Sequence, residues 1–231
     1  MAPTPTGTDG GVSTRSGLNI LVADDHAVVR RGIGQVLSAE FQNPTIVEST
    51  CARDTVEFVR SQAWDLLILD INLPDRSGLE ALKEIKLLRP ALPVLILSLF
   101  PEEQYARRAL KAGASGYATK DTAPEELAAA VRSILKGRRY ISPNLAERLA
   151  DDLMTRQSGS PPQQESNHAQ LSDREMEILQ WIARGKRMTD IADQLALSVK
   201  TVSTYRSRIL DKLRLKTTAD LIRYALDNNL A

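Results

Sequence analysis

The chain has 231 residues, of which 42% are hydrophobic and 26% are charged, and its formal net charge is +1. This length suits one large domain or two small ones, and the near-neutral charge excludes a global field that would attract nucleic acid, so any basic partner surface must be local. A single cysteine, Cys51, excludes an intrachain disulfide.

The first 17 residues, MAPTPTGTDGGVSTRSG, are small and polar, and they contain no apolar core of a signal peptide. No run in the chain approaches the roughly 18 apolar residues that a membrane span needs. We therefore expect residues 1–17 to form a disordered tail on a cytoplasmic protein that has no membrane partner.

Between residues 18 and 137, short apolar runs alternate with amphipathic segments. The apolar runs predict strands over 18–24, 45–49, 65–70, 93–98 and 116–119. The amphipathic segments predict helices over 26–40, 52–62, 78–88, 102–113 and 122–137. The third run is almost entirely apolar, as in strands that are buried on both faces. Five repeats of strand then helix predict an α/β fold, a five-stranded parallel doubly wound sheet of flavodoxin-like topology.

The last of these helices carries Thr122 and Glu125 at the spacing of a capping box. Residues 138–170 predict a linker, with a further helix over 143–155 and then a stretch rich in Ser, Gln and Pro that has no apolar periodicity. His168 lies in this stretch, and we expect it to be solvated. The composition then changes, and residues 171–231 predict a compact all-α domain.

Polar and charged residues stand at or near the ends of the predicted strands, at the edge where ligand sites form in parallel sheets. These residues are Asp24, Asp25, Asp70, Ser98, Tyr117 and Lys120. Each acid alone is explained by a solvated strand end, but several strand ends of this kind argue for a common site. Neighbouring carboxylates repel one another unless a proton or a divalent cation intervenes, and oxygen ligands suit Mg²⁺. Lys120 adds a positive charge that can bind a phosphate. Together these groups suit phosphoryl transfer to an aspartate.

On these positions, residues 18–137 resemble the receiver domain of response regulators. The resemblance implies that Asp70, at the end of LLILD, is the phosphoacceptor, with Lys120 beside it. It implies a Mg²⁺ ion with these ligands: the side chains of Asp25 and Asp70, the main-chain carbonyl of Asn72, and Asp24 in an assisting role.

The resemblance also implies that Ser98 and Tyr117 form a switch pair. The Ser98 hydroxyl would move to the phosphoryl group, and Tyr117 would then turn inward. We expect this movement to reshape the surface formed by residues 102–112, 116–119 and 124–136, and thereby to release the C-terminal domain or to pair receivers.

Two other classes of protein use similar elements. A phosphatase of the haloacid-dehalogenase type also has an aspartate nucleophile at a strand end, but it would want an Asp two residues after Asp70, where this chain has Asn72. A flavin-binding module would need a phosphate-cradling loop after the first strand, where Asp24 and Asp25 would repel a phosphate.

Residues 171–231 carry the pattern of a helix-turn-helix domain. Ser172 and Glu175 stand at the spacing of a capping box, and residues 196–198 mark a turn between two helices. The helix after the turn is the one that enters the major groove in such domains. Residues 198–216 contain six Lys or Arg residues against one acid. A solvated basic helix is the alternative explanation of this charge.

This region resembles the LuxR-type DNA-binding domain of NarL/FixJ-class regulators over all four of its helices. Its TVSTYRSR stretch, residues 201–208, is closer to the BvgA-like branch of that class. The residues expected to contact double-stranded DNA are Lys200, Thr201, Ser203, Thr204, Tyr205, Ser207, Arg208 and Lys212.

Together, the two resemblances imply a response regulator of a two-component system, a transcription regulator rather than an enzyme. A sensor histidine kinase would phosphorylate Asp70, and phosphorylation would control homodimerisation and sequence-specific DNA binding, with RNA polymerase as a further partner. The alternative that keeps both domains is a constitutive DNA-binding regulator whose receiver serves for dimerisation without phosphorylation.

Overall fold

The computed structural model describes residues 17–100, 102–142, 145–147, 167–228 and 230. The expected disordered tail, apart from Gly17, lies outside these residues. So does most of the expected linker helix over 143–155, of which residues 145–147 are helical. Within the part of the chain that the structure describes, no helix is long and apolar enough to cross a membrane.

The N-terminal half is a parallel sheet with helices on both faces, so the predicted fold class is confirmed. The strands are β1 (Asn19–Ala23), β2 (Thr45–Ser49), β3 (Leu66–Asp70), β4 (Val94–Ser98) and β5 (Gly116–Thr119). The helices between and after them are α1 (Ala27–Glu40), α2 (Ala52–Ser61), α3 (Gly78–Leu88), α4 (Glu102–Lys111) and α5 (Pro124–Leu135). The strand order is β2-β1-β3-β4-β5, and every neighbouring pair is parallel. The chain changes direction across the sheet between β1 and β3, which is where ligands bind in such folds.

The sheet separates two apolar cores. In β1, Leu21 and Ala23 face the core that α2, α3 and α4 cover, whereas Ile20 and Val22 face the core under α1 and α5. This alternation follows from the two-residue period of a strand. Every residue of β3 and β4 is buried, which explains the nearly unbroken apolar character of both strands.

Helix α5 begins differently from the sequence-based prediction. Its N-cap is Ala123, which makes no side-chain capping bond, and Pro124 opens the first turn. The Thr122 hydroxyl instead lies 3.2 Å from the hydroxyl of Thr119. The predicted capping box of Thr122 and Glu125 is therefore wrong. A proline at the first helical position has no N–H to satisfy, so this helix start has less need of a cap.

The first residues after α5 remain attached to the sheet. Tyr140 forms a parallel bridge with Gly116 at the outer edge of β5. Its N–H donates to the Ser115 carbonyl at 2.9 Å, and its carbonyl accepts from the Tyr117 N–H at 3.3 Å. The Tyr140 hydroxyl donates to Glu126 on α5 at 2.7 Å. The start of the linker thus covers an edge that would otherwise expose unpaired backbone groups.

The C-terminal domain is all-helical, as predicted. A short 3₁₀ helix (Asn167–Gln170) leads into α6 (Asp173–Ala183), α7 (Met188–Gln194), α8 (Val199–Leu213) and α9 (Thr218–Asp227). The predicted capping box of α6 is present, because Ser172 and Glu175 each accept a hydrogen bond from the other's N–H. Ser198 caps α8 by accepting the Thr201 N–H at 3.0 Å. Helices α7 and α8, joined by a tight turn, form the helix-turn-helix.

His168 is half-buried, so the expectation of a solvated histidine is wrong. Its Nδ1 lies 3.2 Å from the Tyr224 hydroxyl on α9. Its main-chain carbonyl accepts a hydrogen bond from Arg108 on α4 at 2.8 Å. The end of the linker is therefore held by both domains.

Gly78, the first residue of α3, packs against the backbone at the end of β3. A Cβ at this position would lie 2.0 Å from the Asp70 carbonyl oxygen. The Gly78 N–H donates to the Ile71 carbonyl at 2.7 Å, which folds the intervening loop back on itself. The loop can approach the strand end this closely only because residue 78 has no side chain.

Gly78→Ala is expected to lower the free energy of unfolding by about 1–3 kcal/mol, because the backbone at the strand end must shift to admit the methyl group. Urea denaturation followed by circular dichroism measures the change. The matched control is Gly32→Ala in α1, where an added Cβ meets nothing within 4 Å. That control should gain about 0.5–1 kcal/mol from helix propensity. Equal stabilities of the two variants would contradict the role assigned to Gly78.

Candidate functional site

The carboxyl ends of the central strands bring four charged residues together. Asp24 and Asp25 follow β1, Asp70 ends β3, and Lys120 follows β5. The Lys120 ammonium lies 2.6 Å from Asp70 Oδ2 and 2.7 Å from Asp24 Oδ2. The side chains of Lys120, Asp70 and Asp24 are only 4%, 0% and 2% exposed. One cation therefore bridges two buried carboxylates that would otherwise repel each other.

Burial raises the pKa of Asp70 to about 6; the Lys120 ammonium opposes this change, and the nearby Asp24 carboxylate adds to it. Burial also opposes the charged form of Lys120, but the Asp70 and Asp24 carboxylates outweigh it, so the pKa of Lys120 is raised. The lysine is therefore firmly charged at neutral pH. Asp24, Asp25 and Asp70 form an acidic cluster that holds more carboxylates than ammonium groups. An added cation would reduce the repulsion between these carboxylates.

The acidic cluster has the composition of a divalent-cation site. Ligand atoms of Asp24, Asp25, His26 and Asp70 all lie within 4.8 Å of one another. The Asp25 side chain is 25% exposed, so the cluster opens to solvent on that side. Carboxylate oxygens with room for water suit a hard cation such as Mg²⁺. The N-terminal domain thus has an acidic pocket that is compatible with divalent metal binding.

His26 belongs to this cluster, although the strand-end pattern did not predict it. Its Nδ1 lies 2.6 Å from Asp25 Oδ1 and 3.3 Å from Asp24 Oδ1. Its main-chain N–H donates to Asp24 Oδ1 at 2.7 Å. The only signal in the sequence is its position directly after the acidic pair, in ADDH.

The loop after β3 is fixed to its surroundings by two aspartates. The Asn72 N–H donates to Asp70 Oδ1 at 3.0 Å. The Asp75 carboxylate accepts the N–H groups of Ala52 and Arg53, at 2.8 Å each, and so caps α2. Although burial opposes the change, these hydrogen bonds lower the pKa of Asp75. The loop is therefore held at the start of α2, and its own backbone binds the Asp70 carboxylate.

The predicted switch pair is buried beneath α4. The Ser98 hydroxyl accepts the Phe100 N–H at 3.1 Å, and the Tyr117 hydroxyl donates to the Phe100 carbonyl at 2.8 Å. Tyr117 is 0% exposed, so its ring already points inward. The expectation that Tyr117 begins outside and turns inward is therefore wrong for this structure. Both side chains instead hold the backbone of one residue, Phe100.

Helix α6 of the C-terminal domain packs on this end of the N-terminal domain. The Asn72 side-chain amide donates a hydrogen bond to Glu177 Oε1 on α6. Arg174 donates to Glu177 Oε2 at 2.7 Å and to the Leu195 carbonyl at 3.0 Å. Burial raises the pKa of Glu177 to about 7, against the lowering effect of Arg174. A carboxylate of one domain thus contacts the residue two positions after Asp70 of the other.

A second set of contacts holds α6 outside the acidic cluster. Asp173 lies 2.6 Å from Lys83 Nζ on α3 and 3.4 Å from Arg108 Nη1 on α4. Further along α6, the Trp181 ring meets the edge of Phe100, with the ring centroids 5.7 Å apart. The two domains are therefore joined by ion pairs at one end of α6 and by aromatic packing at the other.

Neither Glu177 nor Asp173 was predicted as a site residue. Both lie in the first helix of the C-terminal domain, where their spacing of four residues places them on one face. An acidic pair on that face is ordinary for a surface helix, so the sequence contains no signal that the face meets the N-terminal domain.

The predicted DNA contacts all lie on α8 and differ in exposure. The exposed residues are Lys200, Thr204, Ser207, Arg208 and Lys212, and the partly buried ones are Thr201, Ser203 and Tyr205. The opposite side of α8 buries Val202, Ile209 and Leu213. The outer face of α8 stays exposed although α6 is docked on the N-terminal domain.

Lys212 differs from the other exposed cations of α8. Its Nζ lies 2.6 Å from Glu175 Oε2 on α6, within the same domain. A phosphate would have to compete with this ion pair. Lys200 and Arg208 are exposed on the same helix, and they offer their charge more readily than Lys212 does.

Two family models match the chain at these two regions. Residues 20–132 match the response regulator receiver domain, and residues 169–225 match the luxR family of bacterial regulatory proteins. The chain is therefore a two-component response regulator that combines a receiver with a LuxR-type DNA-binding domain and regulates transcription. It belongs to the NarL/FixJ family, whose members are transcriptional regulators rather than enzymes. The predicted family is confirmed, and the BvgA-like branch stays a prediction.

Relatives of this kind extend over nearly the whole chain. The response regulator UvrY of Escherichia coli K12 is 33% identical over 213 residues, which cover 92% of this chain and 95% of UvrY. The response regulator GacA of Pseudomonas aeruginosa is 35% identical over 214 residues, 92% of this chain and 97% of GacA.

Solved structures of response regulators are also similar. A LuxR-family response regulator from Aurantimonas sp. SI85-9A1 has 32% identity and a TM-score of 0.56, and the match covers 60% of this chain and 99% of that one. RcsB of Salmonella typhimurium has 25% identity and a TM-score of 0.53, over 91% of this chain and 100% of that one. Both domains of the present fold therefore have counterparts in known structures.

In metal-free buffer at pH 7, Asp70→Asn is expected to stabilise the fold by roughly 1–3 kcal/mol. Folding raises the pKa of Asp70 from 3.8 to about 6, so the ionised carboxyl lowers stability above that pKa. As the pH falls towards 3.8, the pKa of Asp70 in the unfolded chain, this loss of stability disappears. The stability advantage of the variant should therefore vanish at about pH 4. Urea denaturation at the two pH values measures it.

The control for this prediction is Asp54→Asn, at an exposed position on α2. Surface substitutions of this kind usually change stability by less than about 0.5 kcal/mol. An advantage of Asp70→Asn that is the same at both pH values would show that titration of Asp70 is not its cause.

Proposed function

We propose that Asp70 accepts a phosphoryl group from a sensor histidine kinase, and that this event controls dimerisation and sequence-specific DNA binding. The observation that carries the proposal is the Lys120 ammonium, held between Asp70 and Asp24 at the carboxyl edge of the sheet. A buried lysine next to an aspartate, in a cluster rich in carboxylates, suits an incoming group with negatively charged oxygens.

In the proposed reaction, an Asp70 oxygen attacks the phosphorus of the donor. The new bond joins Asp70 to phosphorus, the bond from phosphorus to the donor atom breaks, and the leaving group departs with that electron pair. Lys120 stays within reach of the added oxygens because its second partner, Asp24, fixes it in place. The Asn72 N–H orients the attacking carboxylate by binding its other oxygen, Oδ1.

Asp25, Asp70 and the main-chain carbonyl of Asn72 are proposed to hold Mg²⁺, with Asp24 assisting. When bound, the cation neutralises negative charge that builds up during phosphoryl transfer. The support for this assignment is the packing of four ligand atoms within 4.8 Å and the partial exposure of Asp25, which leaves room for water ligands. His26 is close enough to Asp25 to orient its carboxylate.

Ser98 and Tyr117 are proposed to pass the change from Asp70 to α4. Both bind the backbone of Phe100, which itself packs on Trp181 of α6. Movement of the Ser98 hydroxyl towards a phosphoryl group would release the Phe100 N–H. Because Phe100 packs on Trp181, this release would change the contact between the two domains without a large rotation of Tyr117.

Helix α8 is proposed to read double-stranded DNA in the major groove. Its exposed cations would bind phosphates, and Thr204 and Ser207 would face base edges. RcsB, to which this chain is similar, was solved in a study of DNA interaction. Pairing of two copies on two half-sites, and contact with RNA polymerase, belong to the same proposal. The rival function, DNA binding that ignores phosphorylation, predicts the same affinity for DNA with and without acetyl phosphate.

Acetyl phosphate with Mg²⁺ is expected to add one phosphoryl group, about 80 Da, to the full chain. Asp70→Asn should abolish the addition, because it removes the carboxylate that both Lys120 and the Asn72 N–H bind. Asp25→Asn should slow it strongly by weakening metal binding, whereas Asp54→Asn should not. Intact-protein mass spectrometry over time measures all four. Undiminished labelling of the Asp70 variant would refute the assignment.

Lys200→Ala is expected to weaken binding to every DNA sequence and to flatten the slope of log K against log salt by about 0.9, the loss of one phosphate contact. Ser207→Ala should instead change the preferred sequence, because that hydroxyl would face bases. Fluorescence anisotropy at several salt concentrations measures both, with Lys136→Ala on the receiver as the matched control. A response of Lys136→Ala equal to that of Lys200→Ala would sink the proposed orientation of α8.

A further inference from the structure

A groove lies at the amino end of the parallel sheet, at the edge opposite to the acidic cluster. Its volume is about 520 Å³, and small-molecule sites have volumes of this order. It is lined by residues that directly precede β4 and β5, by Lys86 in α3, and by the residues that follow α5. None of the described residues that line it belongs to the acidic cluster or to α8.

The groove carries positive charge that no nearby acid balances. The described residues that line it include Lys86, Arg138 and Arg139, but no Asp or Glu. Arg138 and Arg139 are exposed, and neither forms an ion pair with another described residue. Like charges that lie close together repel one another, so an anion in the groove would lower the electrostatic energy of these three cations.

The Lys86 ammonium is held at the groove by its stem and its head. The stem packs on Gly113, where an added Cβ would lie 3.1 Å from Lys86 Cγ. The ammonium donates to the carbonyls of Leu92, at 2.5 Å, and Pro90, at 3.5 Å. Burial lowers the pKa of Lys86, and the nearby Arg139 lowers it further. Because an ammonium has three N–H donors, one donor remains for a ligand.

The backbone that carries Arg138 and Arg139 is fixed on both sides. Before them, Gly137 ends α5 with a φ of 75°, and the Arg138 N–H returns to the Ser133 carbonyl at 3.1 Å. This is the hydrogen bond of a Schellman motif. After them, Tyr140 is bridged to the edge of β5. Binding of an anion would therefore order only the two side chains, which keeps its entropic cost small.

Neutral groups complete the groove. Ala91 and Pro93 contribute apolar surface, and Ser115 contributes a hydroxyl. The Ser115 hydroxyl oxygen accepts the Val94 N–H at 3.2 Å, so its own proton can be donated to an anion. Cations, a hydroxyl donor and apolar surface together suit an organic molecule that carries phosphate.

The ends of the helices explain only part of this positive charge. The C-terminal ends of α3, α4 and α5 lie at this edge of the sheet. Each helix end carries a partial charge of about −0.5, so the three ends offset about half of the charge of the three cations. The remaining positive charge is available to a ligand.

We propose that this groove binds a small phosphorylated molecule, whose phosphate lies between Lys86, Arg138 and Arg139. Guanidinium groups bind phosphate through paired N–H donors, and the lysine adds a point charge. The site is separate from Asp70 and from the helix that would read DNA, so it does not depend on the function proposed for either.

Isothermal titration calorimetry of the full chain tests the proposal, with ADP, inorganic pyrophosphate and adenosine as probes. The buffer contains EDTA, so that no metal ion can join a phosphate to the acidic cluster. ADP and pyrophosphate should each bind once per chain, and adenosine should not bind. Tighter binding of ADP than of pyrophosphate would identify a nucleotide as the ligand, and equal affinities would identify phosphate alone. Thermal unfolding should record the same binding as a rise in Tm.

Arg138→Gln and Arg139→Gln should each weaken the binding of pyrophosphate roughly tenfold, the loss of one charged hydrogen-bonding group. The matched control is Lys136→Gln, because Lys136 is an exposed cation directly after α5 that does not line the groove. A second control, Lys200→Gln, removes an exposed cation of α8. Both controls should keep the affinity of the parent chain.

Three results would overturn the proposal. The first is the absence of saturable binding of both ADP and pyrophosphate. The second is an equal loss of affinity in Lys136→Gln and Arg139→Gln, which would show attraction to the general charge of the surface. The third is a loss confined to Lys200→Gln, which would place the anion on α8. Circular dichroism of each variant confirms that a lost affinity does not reflect a lost fold.

Discussion

The arrangement of the whole molecule depends on one buried ammonium between two buried carboxylates. Lys120 holds Asp24 and Asp70 at the edge of the sheet where their strands end. Without that cation, two like charges would lie close together in a medium that screens them poorly, and the strand ends would separate or take up protons. The parallel order of β1, β3 and β5 is what brings the three residues within reach of one another.

Lys120 neutralises only part of the negative charge of the carboxylates at this site. Burial still raises the pKa of Asp70 despite Lys120, so the folded protein holds a carboxylate that gains from any added positive charge. The same end of the sheet accepts α6, which brings another carboxylate, Glu177, with its own counter-ion, Arg174. Glu177 thus has its counter-ion within its own domain, and the contact between the two domains stays sensitive to one additional charge.

Much of this fold could be predicted from periodicity, because strands buried on both faces and amphipathic helices leave clear patterns. The strand-end rule also places Asp24, Asp70 and Lys120 together from the sequence alone. The start of α5 was mispredicted because Pro124 changes which residue caps the helix. The capping-box spacing and the preference of proline for the first helical position point to different first residues, and residue spacing alone does not show which of them determines the helix start.

The docking of the two domains could not be predicted, for a different reason. Asp173 and Glu177 have the spacing of an ordinary polar helix face, and nothing in the sequence says which surface that face meets. The inward position of Tyr117 was missed in the same way, since it depends on a hydrogen bond to the Phe100 carbonyl rather than on any pattern. Contacts made by side chains across tertiary structure carry no period, so they are found only in coordinates.

Helix α8 exposes Lys200 and Arg208 to solvent while α6 is docked on the receiver. A cationic helix that faces solvent is drawn to the phosphates of any duplex, and such attraction lets a protein slide and hop along DNA. Undocking is not required for that search. If phosphorylation controls the protein as proposed, the regulator would already be bound along the chromosome before a signal arrives, and its response time would follow the transfer of a phosphoryl group rather than diffusion from bulk solution to a promoter.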